Sequence, residues 1–76
     1  MNRKLPAVTP RKLIRALEKA GFEVHHIAGS HHILRHKKNA ALRVTVPFHN
    51  RDLKAGTLYR IVKDASLTAD EFLDLL

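Results

Sequence analysis

Apolar residues recur at helical spacing early in the chain. Leu13, Ala16, Leu17 and Ala20 fall at i, i+3, i+4 and i+7, which lines them along one face of a helix. Thr9 is a good N-cap and Pro10 suits the first helical position. Gly21 is a natural stop just past the end. Arg11, Lys12, Arg15 and Lys19 lie largely off the apolar stripe. From Phe22 the period changes. Phe22 to Ile27 is short and rich in strand formers, and Gly29-Ser30 reads as a two-residue hairpin turn with Gly at its first central position. His31 to His36 returns as a second strand, and Lys37-Lys38-Asn39 makes a polar turn. Leu42, Val44, Val46 and Phe48 alternate with Arg43, Thr45 and Pro47, the pattern of a third strand with one buried face. Pro47 has no N–H to give to a ladder, so it belongs near the strand's end or on an edge.

A second helix begins between Lys54 and Thr57, with Leu58, Ile61, Val62 and Ala65 as its apolar stripe. Thr68-Ala69-Asp70-Glu71 is a capping-box pattern that opens a short last helix carrying Phe72, Leu73 and Leu76. The order is α-β-β-β-α with a short C-terminal helix. It predicts an α+β two-layer sandwich, one sheet face covered by helices and the other open. A strictly two-residue turn puts His31 on one sheet face with Ile33, and His32 on the other with Leu34. Both faces are then half apolar, and alternation alone does not choose between them.

Composition narrows the picture. A chain of 76 residues makes one domain with a thin core, with no room for a separate substrate domain or a deep cofactor cleft. There is no cysteine, which fits a reducing cytosol. No stretch approaches the roughly 20 apolar residues that span a bilayer. The run Met1-Asn2-Arg3-Lys4-Leu5-Pro6 is basic, but no apolar segment follows it as in a secretion signal. These features predict a soluble cytoplasmic protein. Fourteen Lys and Arg oppose seven Asp and Glu, a net charge of +7, which favours a polyanionic partner. Every Lys and Arg lies within residues 1–63, while Asp64, Asp70, Glu71 and Asp74 follow. The basic surface therefore belongs to the body of the fold.

Five of the six histidines, His25, His26, His31, His32 and His36, fall on the first hairpin, and His49 follows the third strand. Three readings apply. Strands can bring His26 near His31 or His32 as metal ligands, but cysteine and an HExxH pattern are absent and Glu23 is the nearest carboxylate in sequence. Some of the six are plain solvated side chains. The third reading is acid–base chemistry on RNA. A base that takes the proton of the 2′-OH lets that oxygen attack the adjacent phosphorus, leaving a 2′,3′-cyclic phosphate and a 5′-OH. The reaction needs a base titrating near neutrality, a cation for the developing charge and a proton for the leaving oxygen. It needs neither metal nor cofactor. Histidine serves as base or acid, and Lys or Arg supplies the cation.

Three segments then become specific together: Gly29-Ser30-His31-His32-Ile33-Leu34-Arg35-His36, Val44-Thr45-Val46-Pro47-Phe48-His49, and Leu53-Lys54-Ala55-Gly56-Thr57-Leu58-Tyr59-Arg60-Ile61. With Leu5-Pro6, the run Ile14 to Phe22 and the closing Leu67 to Leu76, they resemble the HicA, or YcfA-like, toxins over nearly the whole chain. Small departures stand at Ala55 and Asn50, where family members often carry Pro and Gly. The resemblance implies a fold like the double-stranded-RNA-binding domain. It also implies a metal-independent endoribonuclease that cleaves mRNA and is held inactive by a HicB-type antitoxin. The first histidine after the Gly-Ser turn, His31, is then the catalytic one.

Gly29 tolerates a backbone conformation that lets the chain come close to a phosphate. Ser30 can hydrogen-bond a phosphate or simply hold the turn, and His32 stands beside them. Arg11, Lys12, Lys37, Lys38 and Lys54 are the expected RNA-contacting cations. Lys54 gains from a helix N-terminus that favours phosphate. The leaving-group acid is open between His32 and His49. The competing function is a non-catalytic RNA-binding domain of the same fold, which reads A-form RNA by shape and 2′-OH contacts. A DNA-binding role lacks a recognition-helix signature.

Overall fold

The computed structural model describes residues 4–76. Met1, Asn2 and Arg3, the first half of the basic N-terminal run, lie outside the described residues. The elements follow the expected order: α1 (Pro10–Lys19), β1 (Phe22–Ala28), β2 (His31–His36), β3 (Arg43–Pro47), α2 (Ala55–Asp64) and α3 (Ala69–Leu75).

The helix ends form where local chemistry dictates. The Thr9 hydroxyl oxygen accepts the Lys12 N–H at 3.3 Å, and Pro10 opens α1. α1 stops at Gly21, whose φ of +102° is costly for any residue with a Cβ. A Cβ there would also meet His36 Nε2 at 2.6 Å. That imidazole is held from both sides: Nε2–H donates to the Ala20 carbonyl at 3.0 Å, and Nδ1 accepts the Lys38 N–H at 3.1 Å. Its neighbours thus fix the proton on Nε2. α2 starts at Ala55 with Lys54 as an N-cap that makes no side-chain bond. It ends on Ser66 in the left-handed region, φ +61°, with Ser66 and Leu67 N–H groups returning to the Lys63 and Val62 carbonyls. The capping box of α3 is complete, with Glu71 N–H to the Thr68 hydroxyl at 3.1 Å and Thr68 N–H to the Glu71 carboxylate at 2.8 Å.

The sheet is antiparallel in the order β1-β2-β3, so β1 and β3 are its edges. Pro47 is the last residue of edge strand β3, as its missing N–H requires. β3 is shorter than the alternation suggested: Leu42 and Phe48 flank it and pack partly buried against the core. Leu34, Val44 and Val46 face the helices and are buried with Leu13, Leu17, Leu58, Ile61 and Phe72. The molecule is 17 Å across its thinnest direction, the depth of one sheet and one helix layer. The cover is incomplete over β1. Val24 and Ile27 stand on the helix side of the sheet yet are 37% and 56% exposed. Among the described residues no helix is long and apolar enough to cross a membrane.

Candidate active site on the open sheet face

The β1–β2 turn has the two-residue geometry expected of it. Ala28 pairs with His31, Gly29 has φ +58°, and Ser30 is not among the residues with positive φ. This is the sign pattern of a type II′ hairpin. A Cβ on Gly29 would meet nothing within 4 Å, so backbone conformation alone demands the glycine. The turn is tied down from β3, because Phe48 N–H donates to the Ser30 carbonyl at 2.7 Å.

Register resolves which face carries His31. Leu34 is buried under the helices and pairs with Val44, so its neighbours in alternation, His32 and His36, share the helix side. His31, Ile33 and Arg35 therefore point to the open face. There His31 is exposed, flanked across the ladders by Ala28 and Pro47. Thr45 and Arg43 face the same way from β3 and are exposed. Ile33, half-buried, lies between His26 and Thr45.

His32 takes the other side. Its ring stacks on Phe48, with centroids 4.3 Å apart and planes 19° from parallel. Its Nδ1 is buried with no hydrogen-bond partner in the structure. The Arg11 guanidinium sits 5.7 Å from the centre of the same Phe48 ring, a cation–π distance. Beside this stack, Thr9, Arg11, Phe48, His49 and Asn50 line a small cavity of about 140 Å³. His49 Nδ1 accepts the Arg51 N–H at 3.1 Å.

The expected cations divide between two ends of the sheet. Arg11 reaches the His31 end through Phe48. Lys54 lies at that end too, because Leu53 N–H is bonded to the Val8 carbonyl just before α1. Lys12 is in the first turn of α1 and lines a groove with Arg15, Lys19 and Leu75. Lys37 and Lys38 follow His36 at the opposite end. Five steps of strand separate His36 from His31, on the order of 17 Å. All five cations are exposed.

β1 carries an irregularity that no residue of its sequence marks. Val24 pairs with Leu34 but His26 pairs with Ile33, so the register shifts at His25. This bulge sets two β1 residues against one of β2 and changes which side chains face outward. Among the described residues, no three His, Asp or Glu side chains gather as a metal-ligand group.

No curated protein matches this chain. The family model for the HicA toxin of bacterial toxin–antitoxin systems matches residues 10–67, from the first residue of α1 to the loop before α3. The helix, three strands and helix within that span, with the Gly-Ser-His turn at their centre, are the segments that carried the resemblance in the sequence. The chain belongs to the HicA family of bacterial toxin–antitoxin toxins.

Proposed function

We propose that this toxin is an endoribonuclease that cuts mRNA with His31 as general base, and that an antitoxin of the HicB type silences it. The observation that carries this reading is the exposed His31 at a fixed strand start, held by the Gly29 turn and the Phe48–Ser30 bond on an open sheet face of a chain with net charge +7. Imidazole nitrogen takes the 2′-OH proton. The 2′-oxygen forms a bond to phosphorus, and the bond from phosphorus to the 5′-oxygen breaks. That oxygen leaves with a proton, giving a 2′,3′-cyclic phosphate and a 5′-OH.

The Gly29-Ser30 turn is where the backbone can approach the reacting phosphate. Arg11 and Lys54 hold RNA around the His31 end, Lys12 extends the basic surface along α1, and Lys37 and Lys38 hold RNA beyond the far end. RNA recognition and the cytosolic setting follow from the same charge and the same substrate.

The test is cleavage of an mRNA fragment by purified wild type and His31→Ala. Loss of cutting in a folded His31→Ala protein supports the assignment, since replacing an exposed histidine should change stability by no more than about 0.5 kcal/mol. Binding without cutting in the wild type would instead favour a non-catalytic RNA-binding domain.

A further inference from the structure

We infer that His26 is the general acid that protonates the leaving 5′-oxygen. The inference rests on the proposed nuclease reading and adds a residue that reading leaves open. Without the irregularity at His25, alternation from Val24 would turn His26 toward the helices. The register shift between Val24 and His26 sets His26 opposite Ile33, and Ala28 opposite His31. Ile33 and His31 are open-face residues, so His26 and Ala28 are too. The bulge thus carries a second imidazole to the face that holds His31. Bulges next to active sites commonly re-aim a side chain in this way.

The spacing suits the chemistry. His26 is the diagonal neighbour of His31, two pairs along the ladder on the same face, and diagonal residues lie about 7–8 Å apart with side chains closer. In-line displacement puts the entering 2′-oxygen and the leaving 5′-oxygen on opposite sides of phosphorus. The base and the acid must therefore reach one phosphodiester from two directions. Two exposed imidazoles on neighbouring strands bracket it. His31 accepts the 2′-OH proton as His26 gives its own to the departing oxygen, so the pair exchanges protonation states and no other reactant is needed.

The remaining histidines are placed less well. His32 is stacked on Phe48 on the helix side. His36 has both ring nitrogens engaged at the far end. His49 lies beyond the end of β3, outside the ladder that carries His31.

The experiment uses two RNA oligonucleotides, one ordinary and one in which sulfur replaces the bridging 5′-oxygen at the cut site. A thiolate leaves without protonation, so it does not need the acid. Wild type, His26→Ala, His31→Ala and His49→Ala are compared on both. His26→Ala should cut ordinary RNA about 10²- to 10⁴-fold more slowly, the usual contribution of one acid or base, and recover most of that on the sulfur substrate. His31→Ala should fail on both, and His49→Ala should behave as wild type. Equal cutting of ordinary RNA by wild type and His26→Ala would overturn the role, as would a slow His26→Ala variant that sulfur does not rescue. In both cases the His31 assignment would stand. A wild type that cuts neither substrate would remove both proposals together.

Discussion

The Phe48 backbone N–H and the Ser30 carbonyl are joined at 2.7 Å, so the turn before His31 is anchored to the end of β3. The Phe48 ring is seated in turn by His32. His32→Ala removes a stack worth about 0.5–1.5 kcal/mol but also removes a buried nitrogen that lacks a partner. The expected net loss of stability is under about 1.5 kcal/mol. Cleavage should fall further than RNA affinity, because the loosened turn misplaces His31. Melting curves, a binding titration and a cleavage assay on the same variant separate these effects.

Gly29→Ala tests the turn from the other side. No atom stands in the way of the new methyl group, so any loss comes from the positive φ, at about 1–2 kcal/mol. Thermal melting should show that loss, with cleavage reduced as the turn relaxes. Ser66 is the contrasting case. It already holds φ +61° with a side chain, so Ser66→Gly should raise stability by up to about 1 kcal/mol without touching cleavage.

RNA carries its own nucleophile in the proposed reaction. Cleavage should therefore persist in EDTA, yield a 2′,3′-cyclic phosphate, and cease on RNA carrying a 2′-deoxy sugar at the cut site. Product analysis by mass spectrometry checks all three. Activity lost on chelation and restored by zinc would count against a purely histidine-based mechanism.

Salt should weaken RNA binding steeply, with a log–log slope of about −0.7 for each phosphate neutralised on a single strand. Arg11→Gln and Lys54→Gln should reduce both affinity and slope for short oligonucleotides. Lys37→Gln and Lys38→Gln should matter only for longer ones, because these residues lie beyond the opposite end of β2. Binding that barely responds to salt would argue against a nucleic-acid partner.

A cognate antitoxin should be acidic and should cover the His31 face, since opposite charge speeds encounter with a protein of +7. His31→Ala should abolish toxicity and keep most antitoxin affinity, because a stable interface buries far more than one imidazole. Hydrogen exchange should show protection across residues 29–36 in the complex. A complex that leaves this segment unprotected and still cuts RNA would exclude occlusion as the means of inhibition.

The elements were legible in the sequence because each ends on local chemistry. Thr9, Gly21, the Gly29-Ser30 turn and the Thr68–Glu71 box act within a few residues of themselves. The position of His31 at a strand start was legible through the turn that precedes it. Its face was not, because Ile33 and Leu34 are equally apolar and only tertiary burial tells them apart. The placement of His26 was hidden for a related reason. Val24-His25-His26-Ile27 contains neither glycine nor proline to mark a bulge, and the shift appears only once β1 is paired with β2. The thin cover over Val24 and Ile27 was equally invisible, since helix reach depends on how α1 and α2 cross the sheet.

The contact between His36 and Gly21 links two positions 15 residues apart into one inherited choice. The imidazole fills the space that any side chain at position 21 would need, while its nitrogens close the end of α1 and the start of the β2–β3 turn. Shrinking residue 36 would open the space but leave the φ of +102°, so position 21 stays glycine either way. The constraint therefore runs in one direction, with the histidine free to vary and the glycine not.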